Sequence, residues 1–214
     1  MEETTSREKV LKKLRNALIN RSESPFPSLD LNSSVYKDFE DSLDITFATE
    51  FSKVSGKFIY CEDEKDLEGN LVSLIGEKKW KQVFCTEQEI KETLANAGIP
   101  FTSMESEFTE MDAGITYCES LIARLGSIMV SSRQTSGRRL NVYPENHIVI
   151  ARSSQIVPDL KEALVNIKEK YKDNMPSMIS VITGPSRTAD IEKTLVMGAH
   201  GPRELYVFLI DEEK

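Results

Sequence analysis

Residues 57–98 read KFIYCEDEKDLEGNLVSLIGEKKWKQVFCTEQEIKETLANAG, and this stretch decides the fold. An apolar run at Phe58–Cys61 predicts a strand, and leucines at helical spacing predict an acidic helix near 63–75. A second apolar run at Gln82–Cys85 predicts another strand, and a second helix follows it. Strands that alternate with helices in this way are typical of βα units around a largely parallel sheet.

Capping signals set the predicted helix boundaries. Gly76 and Gly98 are suited to helix ends, because glycine readily adopts the left-handed backbone conformation found there. The Thr86–Glu89 segment has the pattern of a capping box, in which each side chain bonds a free backbone N–H at the helix start. A second box at Thr116–Glu119 predicts a short helix through Leu125.

The alternation continues through the second half of the chain. A polar loop is predicted at 133–141, between two strands. The predicted strands lie at 127–132, 147–151, 178–182 and 205–210, and the predicted helices run from Ser154 to about Tyr171 and from Ala189 to Met197. The sequence therefore predicts an α/β fold.

The N-terminal part has a different pattern. Two amphipathic helices are predicted at 4–20 and 35–54, and a linker rich in serine and proline separates them at 22–34. We expect residues 1–56 to be a helical segment that packs on an α/β domain at 57–214, the whole chain forming one structural domain.

Composition disfavours nucleic acid as a partner. The chain has 27 basic and 35 acidic residues, which give a formal net charge of -8. Its basic pairs are flanked by acidic or apolar residues and have no interleaved aromatic residues. A polyanion is therefore expected to be repelled.

Cysteine usage indicates a reducing compartment. Cys61, Cys85 and Cys118 are far apart and form no C-x-x-C pair, and the chain has only 2 histidines. We therefore expect free thiols and no metal or iron–sulfur site within this chain. The polar N-terminus and the lack of about 18 consecutive apolar residues predict no signal peptide and no membrane span. These features predict a cytoplasmic protein.

The segment from Gly184 to Asp190 is a candidate ligand site, because a predicted strand passes into a helix there, at the carboxyl edge of the sheet where open α/β folds bind ligands. Gly184 can also adopt backbone angles that are closed to other residues. Free N–H groups at a helix start attract anions, Ser186 and Thr188 offer hydroxyls, and Arg187 can clamp a carboxylate or phosphate. A structural explanation is equally open for the two hydroxyls, since either can simply cap the helix. Asp190 is explained slightly better as an acid that complements the helix dipole.

Two histidines and one arginine are further candidate residues. His200 lies in a glycine-bounded turn and can titrate near neutral pH, or it can lock the turn through a backbone hydrogen bond. We expect this turn at the end of the sheet opposite Arg187. His147 begins a strand, where a structural role is favoured. Arg138 on the predicted loop is a candidate anion contact, with a solvated surface arginine as the alternative.

Several motifs resemble the LUD domain of bacterial lactate-utilization proteins, especially of the C-subunit type. The most specific are Ile182–Glu192, which reads ITGPSRTADIE, and Gly198–Arg203, which reads GAHGPR. Gly137–Arg138 and the run at 144–150 resemble the middle region of that family, and Ile156–Pro158 matches the stretch just after it. The resemblance covers about residues 112–210.

The resemblance implies a Rossmann-like layered, mostly parallel sheet, akin to the ribose-5-phosphate isomerase and coenzyme A transferase group. It also implies a system that oxidises L-lactate to pyruvate, in which iron–sulfur clusters belong only to partner subunits. One departure concerns a turn where the family usually has Thr-Gly-Thr or Thr-Gly-Ser. This chain has Leu125-Gly126-Ser127 there. The hydroxyl of the family's first threonine is therefore missing, and Ser127 is the ligand-binding candidate that remains in this turn.

Two hypotheses follow. In the first, the chain is a component or accessory of an iron–sulfur lactate oxidation system. In the second, it is a stand-alone enzyme or binding module for a small carboxylate, phosphate or coenzyme A-like metabolite, in which a homo-oligomer is possible. The sequence offers no nucleophile and base at motif spacing, so it assigns no catalytic residue.

Overall fold

The computed structural model describes residues 5–19, 36–188 and 196–212. Within these ranges the helices are α1 (Ser6–Ile19), α2 (Leu43–Lys53), α3 (Glu64–Lys78), α4 (Gln88–Asn96) and α5 (Leu160–Tyr171). The strands are β1 (Lys57–Cys61), β2 (Val83–Phe84), β3 (Phe101–Thr102), β4 (Ala113–Tyr117), β5 (Ser120–Ile122), β6 (Ser127–Ser131), β7 (Asn146–Arg152), β8 (Ile156–Val157), β9 (Ile179–Ile182), β10 (Arg187–Thr188), β11 (Val196–Met197) and β12 (Glu204–Ile210). Short 3₁₀ turns lie at Glu105–Glu110, Ala123–Leu125 and Ser153–Gln155.

Six strands form a central sheet in the order β1-β12-β7-β4-β2-β3. Each neighbouring pair in this sheet is parallel. Parallel neighbours need long crossover connections, which the intervening helices supply. The predicted α/β fold with a mostly parallel sheet is therefore confirmed.

The central sheet is buried on both faces, as the alternation along β12 shows. Tyr206, Phe208 and Ile210 belong to the apolar core that α3 and α4 cover. Leu205, Val207 and Leu209 belong to a second core, which includes Phe47 and Phe51 of α2. Successive strand residues point to opposite faces, so a continuous apolar run fills both cores. Full burial of each such side chain contributes about 1.5–3 kcal/mol.

A second sheet has the strand order β8-β5-β6-β9. In it β6 pairs antiparallel with both β5 and β9, while β5 and β8 are parallel. The predicted strand at 178–182 is confirmed as β9. We expect from the sequence that the segment after this strand lies at the carboxyl edge of the parallel sheet. That expectation is wrong, because β9 belongs to the second sheet.

Helix α2 packs through its aromatic residues. The rings of Phe47 and Phe51 stack with centroids 5.3 Å apart, and both side chains are fully buried. The backbone of Gly126, which follows the 3₁₀ turn at Ala123–Leu125, lies against the last turns of this helix. The helix predicted at 35–54 is real but shorter, and the packing of the rest of the N-terminal segment on the core stays a prediction.

Several predicted helix boundaries are wrong. The N-cap of α4 is Glu87, not Thr86, and it makes no side-chain capping hydrogen bond. Thr86 donates instead to the Glu87 carboxylate. Thr116 lies inside β4, so the region predicted as a helix at 116–125 contains the end of β4, strand β5 of the other sheet and a single 3₁₀ turn. Helix α3 continues through Gly76 and ends at a left-handed Lys79.

Helix α5 begins later than predicted. Asp159 is its N-cap, and the side chain of this residue accepts a hydrogen bond from the backbone N–H of Lys161 at 2.8 Å. Residues from Ser154 to Asp159 therefore precede the helix, and they include β8.

The chain divides into two units, residues 1–38 and residues 39–214. Helix α1 belongs to the first unit, and both sheets belong to the second. None of the helices in the described ranges is long and apolar enough to cross a membrane.

Candidate functional sites

The two segments of the sequence signature lie against each other. The backbone N–H of Ser186 donates to the carbonyl of Pro202 at 2.8 Å, and the N–H of Gly198 donates to the carbonyl of Ser186 at 2.9 Å. Beside these bonds β10 pairs antiparallel with β11. Residues 184–188 and 196–203 therefore form one structural unit.

The described part of this unit is a strand pair, and the start of the helix predicted at 189–197 lies outside the described residues. Arg187 and Thr188 are extended and pair with Met197 and Val196. The helix predicted at 189–197 is therefore wrong at its last two residues, and β-branched residues such as Thr188 and Val196 favour strand pairing. Asp190 lies outside the described residues. Among the described residues, no helix starts at Ser186 or Thr188.

Gly184 has the unusual backbone conformation that we predicted, but a helix occupies the space beside it. Its φ is +76°, and a Cβ atom at this position would lie 2.3 Å from the carbonyl oxygen of Val54, at the end of α2. Glycine is therefore required for close approach of two backbones. This contact explains Gly184 without a ligand.

The remaining candidates have separate surroundings. The hydroxyl of Ser127 is buried and lies 2.8 Å from the hydroxyl of Thr183. The guanidinium of Arg138 donates to the hydroxyl of Ser177, and Arg187 is exposed. The structure thus brings Ser186 and the His200 turn together, but it does not bring Arg138 to them.

A cavity of about 470 Å³ adjoins the His200 turn. Tyr143, Glu145 and Arg203 line it together with His200, and Arg203 pairs with Glu145 at 3.4 Å. We expected this turn and the Ser186 segment at opposite ends of the sheet, which is wrong, because the two segments are hydrogen-bonded. The arrangement offers an imidazole and an ion pair to a polar ligand.

His147 is fully buried, and its role fits the structural interpretation. The Nε2 atom lies 2.9 Å from the hydroxyl of Thr116, while Nδ1 has no hydrogen-bond partner among the described residues. Burial lowers the pKa of His147 from 6.5 to about 4, because the core disfavours the charged imidazolium. This histidine is neutral at neutral pH.

The titration of His147 predicts a dependence of stability on pH. The folded-state pKa lies below the ordinary value, so the unfolded chain takes up the proton first as the pH falls. Stability from this residue is complete above pH 6.5 and is lost as the pH falls towards 4. Between pH 7 and pH 5 we expect wild type to lose about 2 kcal/mol more unfolding free energy than His147→Gln. Urea unfolding at both pH values measures this difference, and equal losses would contradict the assignment.

The sequence did not reveal a second site, at the carboxyl ends of the central strands β4 and β7. There the structure has a cavity of about 360 Å³, which we call the carboxyl-edge cavity. Its lining residues are Glu87, Glu89, Tyr117, Cys118, Arg133, Gln134, Thr135, Arg152, Gln155, Lys170 and Tyr171. Ligands of open α/β folds commonly bind at this edge of the sheet.

A buried carboxylate holds one wall of this cavity in place. The side chain of Glu119 is 2% exposed and accepts hydrogen bonds from Ser131 at 2.5 Å, Tyr171 at 2.7 Å and Lys170 at 2.8 Å. Burial alone favours the neutral acid, but these donors outweigh it and lower the pKa of Glu119. Glu119 is therefore a carboxylate at neutral pH.

Sequence reasoning interpreted Glu119 as half of a capping box and Glu87 as part of another. The signal that could have found them is their position, since each follows a strand of the parallel sheet within a few residues. The sequence analysis looks for ligand residues after the strand that precedes Gly184, but that strand, β9, belongs to the other sheet.

Similarity to known proteins covers most of the second unit. Residues 46–210 match the LUD domain. The chain is 35% identical to lactate utilization protein C 1 of Bacillus mycoides over 104 residues, which are 48% of this chain and 44% of that protein. It is 36% identical to lactate utilization protein C of Geobacillus thermodenitrificans over 105 residues, again 48% and 44%. The match thus spans less than half the length of these relatives.

Two further similarities extend over more of the chain. The uncharacterized protein YkgG of Escherichia coli is 30% identical over 152 residues, which are 69% of this chain and 66% of that protein. The crystal structure of a duf162 family protein from Deinococcus radiodurans superposes with a TM-score of 0.58 at 20% identity, covering 78% of this chain and 96% of that chain. At this identity the superposition supports the α/β fold alone.

Proposed function

Because this chain belongs to the LUD domain family, we propose that it is a lactate-utilization protein of the C-subunit type. It acts as a component or accessory of an iron–sulfur system that oxidises L-lactate. The observation that carries this proposal is the identity of about 35% to proteins named lactate utilization protein C.

In this proposal partner subunits hold the iron–sulfur clusters, and the three cysteines of this chain remain protonated thiols. Burial raises the pKa of the Cys61 thiol to about 11 and those of Cys85 and Cys118 to about 12. Metal ligation requires the thiolate, which such thiols rarely form at neutral pH. The proposal also places the chain in the cytoplasm, where free thiols stay reduced.

Affinity purification of the full chain from its native cell, grown on L-lactate, tests the proposal. We expect iron–sulfur proteins to co-purify, and we expect deletion of the gene to slow growth on L-lactate but not on glucose. Re-expression of the wild-type chain is the control. A chain that purifies alone, together with normal growth of the deletion strain on L-lactate, would overturn the proposal.

The alternative function is a stand-alone enzyme or binding module for a small anionic metabolite. Arg187 and Thr188 lie in a strand pair, and the helix start predicted beside them lies outside the described residues. The carboxyl-edge cavity is the better support for this alternative, since its lining includes three cationic side chains, Arg133, Arg152 and Lys170.

A further inference from the structure

Glu87 in the carboxyl-edge cavity has a carboxylate oxygen without a donor. The residue is 8% exposed, and its Oε1 atom has no hydrogen-bond partner in the ranges that the structure describes. Its Oε2 atom accepts from the hydroxyl of Thr86 at 3.1 Å. A buried carboxylate oxygen without a donor is unfavourable and rare. Water does not reach this atom in the free protein, so a bound molecule supplies the missing donor when the Glu87 carboxyl group turns towards the cavity that the residue lines.

Arg133 in the same cavity is a cation without a carboxylate. Arg152 pairs with Glu64 at 2.8 Å, and Lys170 pairs with Glu119 at 2.8 Å. Arg133 instead donates to the neutral amide oxygen of Asn174, and no ion pair joins it to another described residue. A guanidinium presents parallel N–H groups that match a carboxylate or a phosphate. The cavity therefore offers the Arg133 guanidinium to an anionic group and the Glu87 carboxylate to a hydrogen-bond donor.

The wall of the cavity at Tyr117 and Cys118 is held in place before any ligand arrives. The side-chain amides of Gln134 and Gln155 donate to the backbone carbonyls of Tyr117 and Cys118, each at 2.8 Å. Burial and the nearby Glu89 carboxylate raise the pKa of Tyr117, so its hydroxyl keeps its proton. A preformed site loses little conformational entropy on binding.

We propose that the carboxyl-edge cavity binds a small hydroxylated organic anion, whose carboxylate or phosphate pairs with Arg133 and whose hydroxyl donates to Oε1 of Glu87. The hydroxyl supplies the donor that Oε1 of Glu87 lacks, and the anionic group pairs with Arg133, the lining cation that has no carboxylate partner among the described residues. The volume of about 360 Å³ is sufficient for a sugar acid or a sugar phosphate. This inference does not rest on the proposed role in lactate utilization.

Calorimetric titration of the full chain with four matched probes tests the proposal. Gluconate carries both groups, hexanoate has the carboxylate without hydroxyls, sorbitol has the hydroxyls without an acid, and glucose 6-phosphate replaces the carboxylate with a phosphate. We expect gluconate or glucose 6-phosphate to bind at least about tenfold more tightly than hexanoate and sorbitol. The preference between the first two identifies the anion. Equal binding of hexanoate, or no binding of either hydroxylated anion at millimolar concentration, would overturn the proposal.

Two variants locate the site. Glu87→Gln and Arg133→Gln are each expected to weaken binding of the preferred probe at least about tenfold, since each removes a charged hydrogen-bond partner. The controls Glu92→Gln and Lys168→Gln change exposed residues outside the cavity, so they should keep wild-type affinity. Arg133 is exposed, so its replacement carries the test even if Glu87→Gln fails to fold. Wild-type affinity in a folded Arg133→Gln chain would refute the assignment.

Discussion

Replacing Gly126 with alanine is expected to lower the free energy of unfolding by about 2–5 kcal/mol. The φ angle of Gly126 is +54°, a conformation that alanine adopts at a cost. A Cβ atom there would also lie 2.3 Å from the backbone nitrogen of Phe51 and 2.4 Å from the carbonyl carbon of Glu50. Because both neighbours are backbone atoms of α2, no side chain can move aside. Chemical denaturation of the purified chain measures the loss.

Gly137→Ala is the matched control for this substitution. Gly137 has a similar φ of +66°, but nothing lies within 4 Å of the position where its Cβ would be. The control therefore isolates the backbone cost, which we expect to be about 1 kcal/mol. A similar loss in both variants would mean that the close approach of Gly126 to α2 contributes nothing.

Replacing Glu119 with alanine is expected to cost about 3–5 kcal/mol of unfolding free energy at pH 7. The substitution removes the acceptor for the donors on Ser131, Tyr171 and Lys170. Lys170 is largely exposed and regains water, which limits its share of the loss. Ser131 is fully buried and cannot regain water, so its hydroxyl is left without its carboxylate partner. Urea unfolding of both chains gives the difference.

The effect of Glu119 should also depend on pH. Its folded-state pKa lies below the ordinary 4.5, so its contribution is present above that value and is lost as the pH falls through the folded value. The difference between wild type and Glu119→Ala should therefore shrink in strong acid. Glu92→Ala, on the exposed surface of α4, is the control and should change stability by less than about 0.5 kcal/mol. A cost below about 1 kcal/mol for Glu119→Ala at pH 7 would show that its hydrogen bonds do not stabilise the fold.

Local pattern was sufficient to predict most strands of the central sheet. The apolar runs at 58–61, 147–151 and 205–210 are rich in β-branched and aromatic residues, so they indicate strands without any knowledge of their neighbours. Strand order depends on contacts between distant parts of the chain, which no local window contains. In the second sheet β6 and β9 were predicted as strands, but β5 at 120–122 and β8 at 156–157 were missed because they are only 3 and 2 residues long.

The candidate site was harder to predict than the fold. The Thr116–Glu119 segment has the pattern of a helix start, but pairing of Thr116 with Val149 in the central sheet overrides that local preference. Glu119 therefore lies just after the end of β4, where it contacts Lys170, which is 51 residues away in the sequence. The acceptor, its donors and the cavity beside them exist only after these elements have come together.

The position of β12 has a consequence for biosynthesis. This strand lies between β1 and β7, both of which leave the ribosome earlier. Until residues 204–210 emerge, β1 has no partner in the central sheet and the inner edge of β7 stays open. We therefore expect the nascent chain to expose apolar strand edges and to engage chaperones until that last insertion closes the sheet.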